Sequence, residues 1–220
     1  NRVYYMAHRL PDNFSMERYG LKVRLATEKD TDFILSLRTD AGLSKFIHKT
    51  DKDVQQHLEW FKKYKQREAE ARDYYFIYFK DDEPVGVNRI YNVYEYYGTI
   101  GSWLCSPKNE VEVSMATHLF LHDIIFEVLG LDLTLFDVRK GNKHVWKLHK
   151  MTGAQQVGES DIDYYFVTSK EEFMKRKKIT KAAFILSVGM LILWAVLGAG
   201  TTLAWFKDTT PVDKNSFLIG

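Results

Sequence analysis

The sequence has one cysteine, Cys105, and four prolines in 220 residues. A single thiol excludes an internal disulfide and any cysteine-built zinc cluster, and it fits a reducing compartment. The formal net charge of +2 carries no basic excess of the kind a nucleic-acid partner requires. No secretory signal is readable, because Tyr4 to Leu10 is too short and too polar for an apolar signal core. Internal repeats and low-complexity tracts are absent as well.

Charge is also missing from one long stretch. Residues 182–206 hold no charged side chain, and Lys175, Arg176, Lys177, Lys178 and Lys181 precede them. A helix of that length can cross a hydrocarbon core of about 30 Å. A basic flank keeps the preceding domain on the cytoplasmic side, with membrane lipid as a partner. The alternative is a buried core helix, which normally keeps a polar stripe.

The remaining sequence is rich in pattern. Leu21 to Ala26 alternates apolar and basic residues and reads as a half-buried strand. Thr27 opens a helix with Glu28 and Asp30 in its first turn, suited to the helix dipole. Thr50 or Asp51 caps a second helix running to Ala71, with Val54, Leu58, Trp60, Phe61 and Tyr64 as its buried stripe. Tyr74–Phe79, Val85–Tyr94 and Thr99–Leu104 form an antiparallel meander. A helix over 113–129 is capped at Gly130, and a strand follows over 131–138. A short helix over 143–151 and strands over 154–158 and 164–168 close the domain. The expected organisation is an irregular lead-in at 1–20, one domain at 21–170, a basic linker at 171–181, a transmembrane helix at 182–206 and a short tail at 207–220. The fold class is α/β, a mixed sheet covered by helices on both faces.

Three stretches carry a family resemblance. Val23 to Asp30, followed by Phe33 to Arg38, looks like the opening strand and helix of the GNAT acetyltransferase superfamily. Ile100-Gly-Ser-Trp-Leu104 looks like its fourth strand. Asn142 to Ala154, with Asn142, Leu148, His149 and Gly153 in register, looks like its late helix. The chain resembles that superfamily from about Tyr19 to Ser169, in the style of members found with sugar-nucleotide and surface-polysaccharide biosynthesis. One stretch departs from the pattern. Where the family has a glycine-containing pyrophosphate loop, this chain reads Asn109-Glu-Val-Glu-Val-Ser114, with Glu112 and Ser114 at the glycine positions. Those glycines let backbone N–H groups close on phosphate at a helix N-terminus.

The resemblance implies acetyl-CoA as cosubstrate and a small-molecule amine as acceptor, with an amino sugar as the first choice. Trp103, Leu104 and Cys105 would hold the pantetheine arm, and a peptide N–H there would stabilise the oxyanion. Ser114, Met115 and Ala116 would offer donors to phosphate, and Asn142 would bind cofactor or cap its helix. His149 would protonate the departing thiolate. For the base that takes the proton from the amine, Glu95, His48 and His118 are the candidates. His118 and His122 share a helix face, but no third metal ligand is evident, so no metal is expected. Three alternatives stay open: a protein N-terminus as acceptor, a catalytically impaired membrane-anchored binding module, and a homo-oligomer.

Overall fold

A computed structural model describes residues 9–47, 50 and 53–178. The chain divides into two compact units, residues 1–174 and 175–220. The sheet, the core and the site all belong to the first. The expected membrane segment, 182–206, lies outside the described residues. Among the described residues, no helix is long and apolar enough to cross a membrane.

The first unit is built on eight strands in the order β1-β2-β3-β4-β5-β6-β8-β7. They are β1 (Ser15–Arg18), β2 (Leu21–Leu25), β3 (Asp73–Lys80), β4 (Glu83–Tyr91), β5 (Tyr97–Cys105), β6 (Leu133–Arg139), β7 (Gln155–Glu159) and β8 (Asp163–Ser169). The helices are α1 (Thr31–Thr39), α2 (Val54–Ala69), α3 (Val111–Asp123) and α4 (Lys143–Met151), and a last helical stretch covers residues 170–178. Every neighbouring pair of strands is antiparallel except β5 and β6, which run parallel. The expected α/β mixed sheet is present.

β3 reads Asp-Tyr-Tyr-Phe-Ile-Tyr-Phe-Lys without polar alternation because both its faces are covered. Tyr74, Phe76 and Tyr78 join a large cluster with residues of α3, whereas Tyr75 and Ile77 join Ile34, Leu37, Phe61 and Tyr64 beneath α1 and α2.

Four local expectations shift. The lead-in contains a strand, β1, joined to β2 through Tyr19 (φ 58°) and Gly20 (φ 71°). Two positive φ values in succession make the tight hairpin turn that matches strand twist. β1 is half-exposed, so it shows no apolar alternation. α2 is capped by Asp53 rather than Thr50 or Asp51, since the Asp53 carboxylate accepts from the amides of Gln55 (2.8 Å) and Gln56 (3.3 Å). The buried stripe of α2 is His57, Phe61, Tyr64 and Glu68, while Val54 is exposed. Finally, α3 begins at Val111 and ends in a wider π-turn over Ile124–Val128.

Candidate active site

The site arises where two strands part. β5 and β6 pair only at Tyr97–Thr99 with Leu133–Leu135. Beyond Thr99, β5 stays with β4 as far as Cys105–Gly86, while β6 follows β8 as far as Arg139–Asp163. The edge of β5 facing β6 therefore carries peptide groups with no strand partner, and these line a cleft of about 690 Å³.

A bulge in β5 shapes the cleft. Val87 pairs with Leu104 and Arg89 with Gly101, so Ser102 and Trp103 together face the single residue Asn88. Ser102 holds φ at +52°, a left-handed backbone that serine seldom adopts. Asn88 is 1% exposed, lines the cleft and lies beside the buried Tyr78 hydroxyl. A buried polar amide beside a row of free peptide groups fits the amide-rich arm of a pantetheine.

Five of the residues expected to hold cofactor line the cleft: Trp103, Leu104, Cys105, Ser114 and Asn142. Asn142 also caps α4, its Oδ1 accepting from the Val145 amide at 3.3 Å. Met115 and Ala116 stand outside the lining. α3 starts at Val111, so the amides it leaves free belong to its first turn, ahead of Met115 and Ala116. Val111, Ser114, His118 and Leu121 face the cleft at helical spacing, and Val111 is 78% exposed at its mouth. Glu112 is exposed on another face of the helix and does not line the cleft. The glutamate at a family glycine position therefore puts no carboxylate inside the slot.

His149 is 5% exposed and lines the cleft, with its ring 4.1 Å from that of Phe136, 5.0 Å from His118 and 6.1 Å from Trp103. Burial pushes its pKa down to about 3, with the charge of His122 adding to the shift. The ring is thus neutral at pH 7, and its Nδ1 has no hydrogen-bond partner among the described residues. His118 is buried and also lines the cleft, with Nε2 3.2 Å from the Thr152 hydroxyl. Glu95 is exposed in the turn between β4 and β5, at the end of β5 where β6 is still paired, and does not line the cleft. His48 lies outside the described residues. Burial raises the Cys105 thiol, which contacts the Thr117 hydroxyl at 3.4 Å.

A second chamber, about 290 Å³, lies between α1, α2 and the sheet. It shares Arg38, Arg89 and Ser102 with the cleft, so the two spaces meet at the bulge. Arg38 donates to the hydroxyls of Thr50 (2.7 Å) and Ser102 (3.1 Å), and has no carboxylate partner among the described residues. Arg89 is committed to the buried Asp73, with Nε 2.7 Å from Oδ1, and lies over the rings of Trp60 and Tyr91. His57 completes the chamber wall. No metal or aromatic motif pointed to this chamber in the sequence. The available signal was spacing, because His57 stands four residues before Phe61 on the buried stripe of α2.

Residues 21–155 match the model of the acetyltransferase (GNAT) domain. Among solved structures, apo FdhC, described as a nucleotide-linked sugar GNAT, is 32% identical. The match covers 77% of this chain and 97% of that one, with a TM-score of 0.69. The fold is shared with the spermidine N-acetyltransferase of Vibrio cholerae in complex with CoA and spermine, at 13% identity, 71% and 99% coverage and a TM-score of 0.63. It is shared too with the Campylobacter jejuni N-acetyltransferase PseH in complex with acetyl coenzyme A, at 18% identity, 68% and 99% coverage and a TM-score of 0.55. No curated protein sequence matches the chain.

Proposed function

The chain belongs to the GNAT acetyltransferase family, which makes it an acetyl-CoA-dependent N-acetyltransferase, and from that premise we propose that its acceptor is the amine of an anionic small molecule, an amino sugar carried on a nucleotide. Arg38 carries this reading. It is a guanidinium held by two hydroxyls at the junction of the chambers, with no carboxylate on it among the described residues. A cation held ready in this way fits a phosphate and repels a polyamine. The likeness to a nucleotide-linked sugar GNAT points the same way.

In this mechanism the thioester lies in the slot with its carbonyl oxygen toward the free peptide donors of β5. The acceptor enters from the chamber beneath α2, and its nitrogen attacks the thioester carbon at the bulge. The C–S bond breaks as the tetrahedral intermediate collapses, and the proton shed by the attacking nitrogen reaches the thiolate through His149. The neutral imidazole of His149 gains basicity only when a negative sulfur forms beside it.

The test compares acceptors and an Arg38 variant. CoA release is expected with nucleoside-diphosphate amino sugars in preference to spermidine. Arg38→Ala should lower kcat/KM for such a sugar nucleotide by about 10- to 100-fold, in line with the roughly 1.5–3 kcal/mol of a charged hydrogen bond. The same variant should change turnover of the free amino sugar far less. Faster turnover of spermidine by the unaltered protein would sink the assignment.

We also propose that residues 182–206 hold this domain at the cell membrane on its cytoplasmic side. The charge-free run and its basic flank support the reading. The 220-residue chain should float with liposomes and a chain ending at residue 178 should not. Flotation of the shortened chain, or none by the full one, would reject it.

A further inference from the structure

His57 is 8% exposed, and its Nε2 has no hydrogen-bond partner among the described residues. It lines the smaller chamber, whose volume is that of one small acceptor group with a few waters. Its imidazole lies against Trp60, with centroids 5.4 Å apart and planes 28° apart, which fixes the ring's orientation. Its own amide bonds to the Asp53 carbonyl at 3.1 Å, so the backbone beneath it is anchored in the first turn of α2.

We propose that His57 is the proton acceptor that frees the acceptor amine for attack. This rests on the acetyl-transfer reading above and adds a catalytic residue to it. A primary amine arrives largely as an ammonium at neutral pH and has no lone pair to offer. With its own proton on Nδ1, the His57 ring presents a lone pair at Nε2. The ammonium gives one proton to Nε2, leaving a neutral amine and an imidazolium. The amine then forms the N–C bond to the thioester carbon. A second proton leaves the nitrogen as the C–S bond breaks and ends on the CoA sulfur. The imidazolium returns its proton to solvent, and the sum is acetyl-CoA plus ammonium giving amide, CoA thiol and one proton.

The groups facing this ring set its strength as a base. Arg38 of α1, Arg89 of β4, the Asp53 carboxyl at the cap of α2 and the buried, neutral Tyr75 hydroxyl of β3, its pKa raised chiefly by burial, line the same chamber. Burial, with Arg38 second, lowers the imidazole pKa below its usual 6.5. The free ring is therefore neutral and ready to accept at pH 7. An acceptor phosphate on Arg38 offsets the guanidinium field, so binding the anionic acceptor makes the ring a better base.

The test uses the full chain, with His57→Gln and His57→Ala, over pH 6 to 9.5. Both variants should bind acetyl-CoA within about twofold of the unaltered protein by calorimetry. At pH 7, kcat/KM for the amino-sugar nucleotide should fall about 100-fold, the low end of base catalysis. The deficit should shrink with rising pH as the amine loses its proton in solution. Added imidazole should restore several-fold activity to His57→Ala and leave the unaltered protein unchanged. A deficit that is constant across the pH range, or an absent one, removes His57 from the chemistry while acetyl transfer by the unaltered protein stands. If the unaltered protein releases no CoA with any amine, both readings fall together.

Discussion

Replacing Ser102 with proline is expected to abolish acetyl transfer, by more than about 10³-fold, whereas glycine at the same position should leave acetyl-CoA binding within a few-fold. Ser102 sits at φ +52° on the bulge where β5 leaves β6. Proline fixes φ near −65° and has no N–H, so it cannot occupy this backbone. Losing one oxyanion donor typically costs 10²- to 10³-fold, and an ångström of misplacement about another 10². Glycine accepts a positive φ without strain. The strain released, roughly 1–3 kcal/mol, is offset by about 0.4–1 kcal/mol of unfolded-chain freedom. The Ser102→Gly melting temperature should therefore match that of the unaltered protein or exceed it slightly. Its acceptor KM should rise, because Arg38 loses the Ser102 hydroxyl 3.1 Å away. Acetyl-CoA titrations and circular dichroism on both variants separate slot damage from unfolding. Proline tolerated with full affinity would mean that the bulge does not shape the thioester site.

Mild acid should destabilise this protein steeply, beginning near pH 6.5. His118, His122 and His149 are buried together, with ring centroids 4.4 Å apart for the first two and 5.0 Å for His118 and His149. Burial is the leading cause of all three shifts, taking His118 well below 6.5, His122 to about 4 and His149 to about 3. The folded values lie below the unfolded ones, so the unfolded chain binds more protons as pH falls below 6.5. Stability is thus complete above that pH and drains away below it. Each histidine contributes up to about 1.4 kcal/mol per pH unit, so the three together approach about 4 kcal/mol per unit. Against a typical total of 5–15 kcal/mol, unfolding should set in by about pH 5, before most carboxylates titrate. Urea denaturation from pH 7.5 to 5 measures the slope. His122→Phe keeps a ring against Phe173, where the present stack is 4.6 Å between centroids, and should lower the slope by about a third. A flat profile through pH 5.5 would mean that these rings are hydrated.

Much of this was legible in the sequence, for reasons that differ by element. β5 was readable because Ile100-Gly-Ser-Trp-Leu104 carries a family pattern. β3 was readable because a strand buried on both faces leaves an unbroken apolar run. β1 was not, since a half-exposed edge strand shows no alternation, and only Gly20 after Tyr19 hinted at a tight turn. Glu112 drew attention by its place in the motif, but a one-residue step on a helix turns a side chain by about 100°. His57 was hidden by its polarity. A stripe drawn from apolar residues alone starts at the exposed Val54 and passes over His57, where the buried face of α2 begins.

Two mouths meeting at Ser102 also bear on the order of events in a turnover. The larger space runs along β5, α3 and α4, and the smaller opens beneath α1 and α2. Cys105, the one thiol in the chain, is tied to Thr117 with its pKa raised, so it is poorly suited to carry the acyl group between substrates. Donor and acceptor must then be present at the same time. With donor and acceptor in separate spaces, as proposed above, either is expected to arrive first and either product to depart without waiting for the other. The enzyme works as a crossroads with no parking place, and its initial-rate plots should intersect rather than run parallel.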